Sequence, residues 1–316
     1  MPNIWTHIIF GQEALKAVGR TEWLDREEES KLFSWGCQGP DPLFYYRFLP
    51  WSKDKRMKIL GELMHEEHCG PFLAELLRRA GMPEGRRLQP YAAGFLLHHI
   101  LDRNAHPYIF AKSGFKPWNH QRFEIILDTI VAEKLRGIET WKAPVRRELT
   151  LKRDSSLFQD VPALLSELAA QFYPEAAREV GVRQWQESFR DMLRALWLFH
   201  DPTGVKRVLT AGKITPFVYK RDNPPLDYCN GERKAWRDPV EEGVTHHTGF
   251  WDHWEAAMEE AGTMLPLALE VMEAGPADSR AAAAEAELLR QLGNVSYSTG
   301  RACGEGAIRY EDPLPF

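Results

Sequence analysis

The 316-residue chain is poor in cysteine, and its four, Cys37, Cys69, Cys229 and Cys303, lie far apart with no CxxC spacing. That excludes a zinc ribbon and a dense disulfide framework, and free thiols are expected. No apolar run approaches the roughly 20 residues that span a bilayer. The start, MPNIWTHIIFGQEAL, has no basic segment ahead of an apolar one. A cytoplasmic protein with no signal peptide and no transmembrane segment is therefore expected. Basic charge is not in excess either. The net charge of −5 argues against a nucleic-acid platform, so no stable nucleic-acid complex is expected, although a nucleotide held through metal ions stays compatible. Neither a GxSxG elbow nor a P-loop is present, so a serine nucleophile or phosphate cradle of those kinds is missing. Alternating strand patterns of useful length are absent as well.

What is present is helical periodicity and aromatic mass. Eleven Trp, sixteen Phe and nine Tyr suit a folded enzyme rather than a disordered partner. Apolar residues recur at three- and four-residue steps over Ile4 to Val18, Glu22 to Trp35, Lys53 to Ala80, Tyr91 to Leu101 and His120 to Leu135. Further helices are expected at Val161 to Phe172, Val182 to Phe199, Phe250 to Glu273 and Ala277 to Leu292. Breakers at Gly39-Pro40, Gly81-Met82-Pro83, Gly137 and Asp201-Pro202 fall where helices should end. The fold class read from this pattern is all-α. Residues 1–293 are expected to form one helical domain, with metal motifs in 2–135. The Pro-rich, aromatic stretch 203–249 is a candidate cover over the site, and 294–316 is expected to be a loosely attached C-terminal tail.

The chemistry concentrates between Leu97 and Glu124, in LHHILDRNAHPYIFAKSGFKPWNHQRFE. His98 and Asp102, Asp102 and His106, and His120 and Glu124 are each four apart, so on helices each pair shares one face. A single such pair is usually a solvated helix pair or a satisfied core histidine. Three linked pairs among Phe95, Leu96, Leu97, Ile100, Leu101, Ile109, Phe110, Ile125, Ile126 and Leu127 need partners inside an apolar setting, and a cation supplies them. His99 adjoins His98, but neighbours on a helix point about 100° apart, so only one of the two faces Asp102, and His98 is preferred. His68 and His200 read as ordinary helix histidines. His246, His247 and His253 form a second cluster, read either as lining the site mouth or as a solvated helix start.

Upstream, Thr6-His7, Pro40-Asp41 within GCQGPDP and His65 within LMHEEHCGPF complete a pattern. Taken together, TH, PD, H, HxxxDxxxH and HxxxE resemble the zinc-dependent phospholipase C family, whose helical fold is shared with the trinuclear zinc nucleases of the P1 type. Asp227-Tyr228, Trp236 and Phe250-Trp251-Asp252 are similar to the intracellular bacterial branch. The resemblance implies up to three Zn²⁺ per chain. His7 would hold one, Asp41, His65 and His98 a second, with Asp102 bridging those two, and His106, His120 and Glu124 a third. Three zinc ions less three carboxylates leave the site about +3 for an anionic phosphate. Secreted relatives use their terminal Trp amine as a ligand. Here the amine of Met1, or of Pro2 after removal of Met1, is the counterpart. The Glu at position 124, after a short gap from His106 to His120, fits the phospholipase branch better than the nuclease branch. Pro42 stands where lecithin-cleaving relatives place an aromatic for choline, so choline preference is not implied.

The expected activity is thus hydrolysis of a phosphodiester, with a phosphate-ester substrate such as a phospholipid. Zinc lowers the pKa of bound water from 15.7 to about 7, and the resulting hydroxide, oriented by Asp41, would attack phosphorus. Two rivals are a 3′-nucleotidase or single-strand nuclease stacking bases on Phe44, Tyr45 or Trp51, and a non-catalytic helical protein in which zinc serves folding.

Overall fold

The computed structural model describes residues 3–151, 155, 158–274 and 278–316. Among them are thirteen α-helices and one two-stranded hairpin, which makes the fold all-α as expected, with short helices and the hairpin beyond those the periodicity predicts. The helices are α1 (Ile4–Ala17), α2 (Glu27–Gly36), α3 (Arg56–Glu66), α4 (Cys69–Ala80), α5 (Gln89–Ser113), α6 (Asn119–Arg136), α7 (Arg146–Leu149), α8 (Asp160–Phe172), α9 (Pro174–Ala177), α10 (Val182–Phe199), α11 (Val205–Leu209), α12 (Phe250–Ala274) and α13 (Ser279–Leu292). Antiparallel β1 (Trp236–Arg237) and β2 (Thr245–His246) sit within the stretch 203–249. The expected start of the last helix at Ala277 lies outside the described residues. Among the described residues, no helix is long and apolar enough to cross a membrane.

Helix α5 is the axis of the fold. It is buried on nearly every side, which is why its sequence is apolar all round rather than on one stripe, and α1, α2, α4, α6 and α12 pack against it. Helix α2 comes unusually close because both partners carry glycine at the crossing. A Cβ on Gly94 would lie 2.5 Å from the Phe33 carbonyl oxygen, and one on Gly36 would lie 2.1 Å from the Tyr91 carbonyl oxygen. Backbone therefore meets backbone, and the carbonyl of Cys37, just past α2, reaches the ring of His98 one turn beyond Gly94.

Two helix boundaries differ from the periodicity. The expected helix from Lys53 to Ala80 breaks at Glu67 and His68, where His68 takes a left-handed φ of 53°. Donors from elsewhere explain the break: Tyr297 N–H donates to the His65 carbonyl at 2.9 Å, and Tyr173 O–H donates to the Glu67 carbonyl at 2.7 Å. In the other direction, α5 outruns its expected end at Leu101 and continues through Pro107 to Ser113. Proline has no N–H for the Arg103 carbonyl. Gly300 packs on that carbonyl, where a Cβ would lie 2.4 Å from its oxygen.

Gly300 belongs to the segment expected to hang loosely, and the structure corrects that expectation. Val295 and Ala302 pair as an antiparallel bridge, Tyr297 is buried, and farther along Asp312 and Leu314 N–H donate to the carbonyls of Ala111 and Lys112. These contacts are tertiary, so no local periodicity announces them.

Candidate metal centre

The eight residues singled out in the sequence are carried by five local devices. His7 lies in the first turn of α1, whose N–H groups are all engaged: the Asn3 side chain accepts from Ile4, and Asp128 accepts from Trp5 at 3.0 Å and Thr6 at 2.7 Å. Asp41 opens a 3₁₀ turn, Asp41–Tyr45, directly after Gly39 and Pro40. His65 ends α3. His98, Asp102 and His106 form one i, i+4 stripe on α5, and His120 and Glu124 form another on α6.

The fold brings these side chains into three overlapping groups: His7 with His98 and Asp102, Asp41 with His65 and His98, and His106 with His120 and Glu124. Within each group the donor atoms lie within 4.8 Å of one another. Asp102 is central and wholly enclosed. Its Oδ1 is 3.2 Å from His7 Nε2 and 3.6 Å from His106 Nε2, and its Oδ2 is 3.0 Å from His98 Nε2. Asp41 Oδ1 is 3.5 Å from His65 Nε2 and 3.7 Å from His98 Nε2, and Glu124 Oε1 is 2.8 Å from His120 Nε2 and 3.8 Å from His106 Nε2. His98 offers only Nε2, whose single lone pair can serve one ion, whereas the two oxygens of Asp102 face His7 and His98 separately.

Hydrogen bonding behind the rings fixes which nitrogen faces inward. His65 Nδ1 contacts the Gly61 carbonyl at 2.7 Å, His98 Nδ1 the Cys37 carbonyl at 3.0 Å, and His106 Nδ1 the Tyr297 carbonyl at 2.7 Å. A carbonyl only accepts, so each Nδ1 carries the proton and each Nε2 presents its lone pair to the centre. There, His7 Nε2, Asp41 Oδ1, His98 Nε2, His106 Nε2 and both oxygens of Asp102 are buried without an aligned hydrogen bond. Orphaned polar atoms of this kind cost about 1–3 kcal/mol each, and a cation removes the penalty. Imidazole nitrogen and carboxylate oxygen are the usual non-thiolate donors to zinc, so the residues fit that metal.

Electrostatics point the same way. Burial, then the neighbouring His98, pushes His7 down to about 4, and burial also holds His106 and His120 well below the usual imidazole range, leaving neutral rings. Burial would raise Asp102, but the surrounding His106, His98 and His7 hold it well below the usual carboxylate range, so it stays charged. For His98, burial is outweighed by Asp102 and Asp41, which raise it.

The remaining histidines are placed elsewhere. His99 turns its Nε2 to the Val295 carbonyl at 2.8 Å and its ring to Tyr297. His200 caps α10. His246 pairs with Asp238 at 2.9 Å, His247 contacts the Arg233 carbonyl, and His253 bonds Thr248. Met1 and Pro2, whose amine is the counterpart of the terminal ligand in secreted relatives, lie outside the described residues.

Two functional positions escape the motif reading. Asp128 is buried one turn after Glu124, where it holds the start of α1 and accepts from Tyr219 O–H at 2.6 Å. Burial raises it to about 6. Its signal was available, since it extends the His120, Glu124 stripe by four more residues. Tyr297 packs against His65, His98 and His99 and lends its carbonyl to His106, with no motif to mark it.

No curated protein and no solved structure matches the chain. A family model described as zinc dependent phospholipase C matches residues 6–180, a span that holds all eight clustered residues and more than half of the chain. The chain therefore belongs to the zinc-dependent phospholipase C family.

Proposed function

We propose that this member of a zinc-dependent phosphoesterase family cleaves a phosphodiester in a phospholipid, releasing the phosphorylated head group. The eight clustered residues would hold up to three zinc ions, with Asp102 between those near His7 and His98. Bound zinc supplies positive charge for the phosphate and acidifies water toward neutral pH. The residues of the chain do the rest. Asp41 is 8% exposed, whereas Asp102 is fully enclosed, so Asp41 is the carboxylate better able to meet an incoming water and take its proton. Asp102 and the backbone-anchored imidazoles keep the donors in place without rearrangement.

The observation that carries the phospholipid reading is an apolar, aromatic surface that runs outward from the start of α6, the helix that carries His120. Trp118, two residues before His120, packs edge-on against Phe217 at 5.1 Å, Phe217 stacks on Phe199 at 4.8 Å, and Phe199 approaches Phe48 at 6.0 Å. From Phe48 the surface opens into a groove of about 750 Å³ lined by Leu49, Trp51 and Trp197, and Trp51 is 75% exposed. Lys206 of α11 lies over the Trp197 ring, and α11 also exposes Val205, Val208 and Leu209. Indole rings and aliphatic groups beside basic side chains suit the interface of a lipid surface. Of the aromatics that would stack bases, Phe44 packs against His65 at 5.3 Å and Tyr45 is half-buried, whereas Trp51 is open and belongs to the groove surface.

The test is a parallel assay of the zinc-loaded protein on phospholipid vesicles, bis(p-nitrophenyl) phosphate and single-stranded DNA. Release of diacylglycerol, lost with a chelator and restored by Zn²⁺, is expected. Cleavage of the DNA with the vesicles untouched would transfer the chain to the nuclease reading.

A further inference from the structure

We propose that Cys69 and Cys303 are an oxidisable thiol pair whose disulfide fastens the C-terminal hairpin, residues 294–303, onto the histidines behind the metal centre. The consequence for metal retention rests on the zinc reading above, whereas the crosslink itself does not.

The geometry is specific. The two sulfurs lie 3.5 Å apart although 234 positions separate them in sequence. Cys69 is buried at the first position of α4, four residues after His65. Cys303 closes the hairpin, its N–H donating to the Asn294 carbonyl at 2.7 Å, and it is partly exposed. Backbone contact beside the pair is already close, since a Cβ on Gly70 would lie 1.6 Å from the Gly293 carbonyl oxygen. Sulfurs need to approach to about 2.05 Å to bond, a movement on the scale of side-chain rotation.

The pair has an unequal chemistry that suits oxidation. The hydrogen bond between the sulfurs draws Cys303 down to about 7, and the same bond together with burial pushes Cys69 up. Cys303 is thus the partly exposed, thiolate-forming partner and Cys69 the enclosed resolving thiol. With hydrogen peroxide as oxidant, the Cys303 thiolate attacks one oxygen, the O–O bond breaks, and a sulfenic acid forms as hydroxide leaves. The Cys69 thiol then forms the S–S bond and displaces the sulfenic oxygen as water. Overall the two thiols lose two electrons and two protons, and hydrogen peroxide becomes two waters. A dithiol reductant reverses the bond.

What the crosslink would hold is the backing of the metal centre. Within the hairpin, the Val295 carbonyl meets His99, the Tyr297 carbonyl meets His106, and Tyr297 N–H donates to the His65 carbonyl. Hydrogen bonds behind ligating imidazoles change metal affinity by about 10–100-fold, so a hairpin that cannot lift away should slow metal loss by about tenfold.

The experiment uses the full-length zinc-loaded protein, reduced or treated with stoichiometric hydrogen peroxide. Non-reducing peptide mass spectrometry reads the crosslink, and a chromophoric chelator reads the rate of zinc release. A Cys69–Cys303 peptide removable by dithiothreitol is expected, with zinc release slowed about tenfold. Cys303→Ser and Cys303→Ala, at the partly exposed position, should release zinc at the reduced rate with or without peroxide. Peroxide that yields only sulfinic or sulfonic acids, or a crosslinked protein that releases zinc at the reduced rate, would overturn the proposal. If the protein holds no zinc, the metal reading fails on its own. Peptide mapping and hydrogen exchange of residues 294–303 then decide, and a crosslink without added protection contradicts the proposal.

Discussion

At Asp102 one fully enclosed carboxylate faces three imidazoles within 3.6 Å, and neither of its oxygens has an aligned hydrogen bond. Its neighbour Gly39 shows how little slack the centre has. Gly39 sits at a φ of 49°, and a Cβ there would lie 2.2 Å from Cδ2 of His98. Gly39→Ala must displace either the ring or the turn that carries Asp41. A stability loss of about 1–3 kcal/mol is expected by urea denaturation, together with a lower zinc content. Unchanged stability with full zinc would mean that this turn does not brace His98.

Asp128 offers a pH test at the same scale. Burial raises its pKa from 3.8 to about 6, so between those values the folded chain binds more protons at this site than the unfolded chain. Stability from this group therefore falls as pH rises through that window, by up to about 3 kcal/mol. Metal-free wild type should gain stability relative to Asp128→Asn as the pH is lowered from 7 to 4. A difference independent of pH would show that Asp128 is ionised or neutral throughout. His98, Asp102, His106, His120 and Glu124 were legible because they repeat donors at helical spacing, whereas His7, Asp41 and His65 were legible only through the family resemblance. Asp128 continues the His120, Glu124 stripe at the same spacing, but its partners, the N–H groups of Trp5 and Thr6 and the Tyr219 hydroxyl, are distant in sequence.

Among the elements, α5 and α6 were the most legible, since HxxxDxxxH and HxxxE each mark one face of one helix. What sequence periodicity could not supply is the break at His68, because the donors that replace its helical bonds come from Tyr173 and Tyr297. The hairpin around Tyr297 is the larger omission. Its ring is buried among His65, His98 and His99, so Tyr297→Ala should cost about 3–5 kcal/mol and loosen the histidines it supports. Thermal denaturation and zinc affinity measured together test this. A variant that loses stability yet keeps zinc affinity would reduce Tyr297 to a packing role.

For the molecule as a whole, the helices enclose acids and imidazoles that would not be gathered for packing alone. Binding to the folded state alone stabilises a protein in proportion to the logarithm of ligand over its dissociation constant. Stripping tightly held zinc with a chelator should therefore lower the melting temperature by roughly 10 °C. A melting temperature unmoved by chelation would count against the metal site itself. The family match spans residues 6–180, which gather His7 on α1 with Asp41 and the donors of α3, α5 and α6.

The most direct measurement of the central claim is a zinc count by elemental analysis of the purified protein, joined to anomalous diffraction that places each ion. Three zinc ions are expected, one near His7 and Asp102, a second at Asp41, His65 and His98 with Asp102 shared between these two, and a third at His106, His120 and Glu124. A protein without zinc, or with zinc bound away from Asp102, would contradict it.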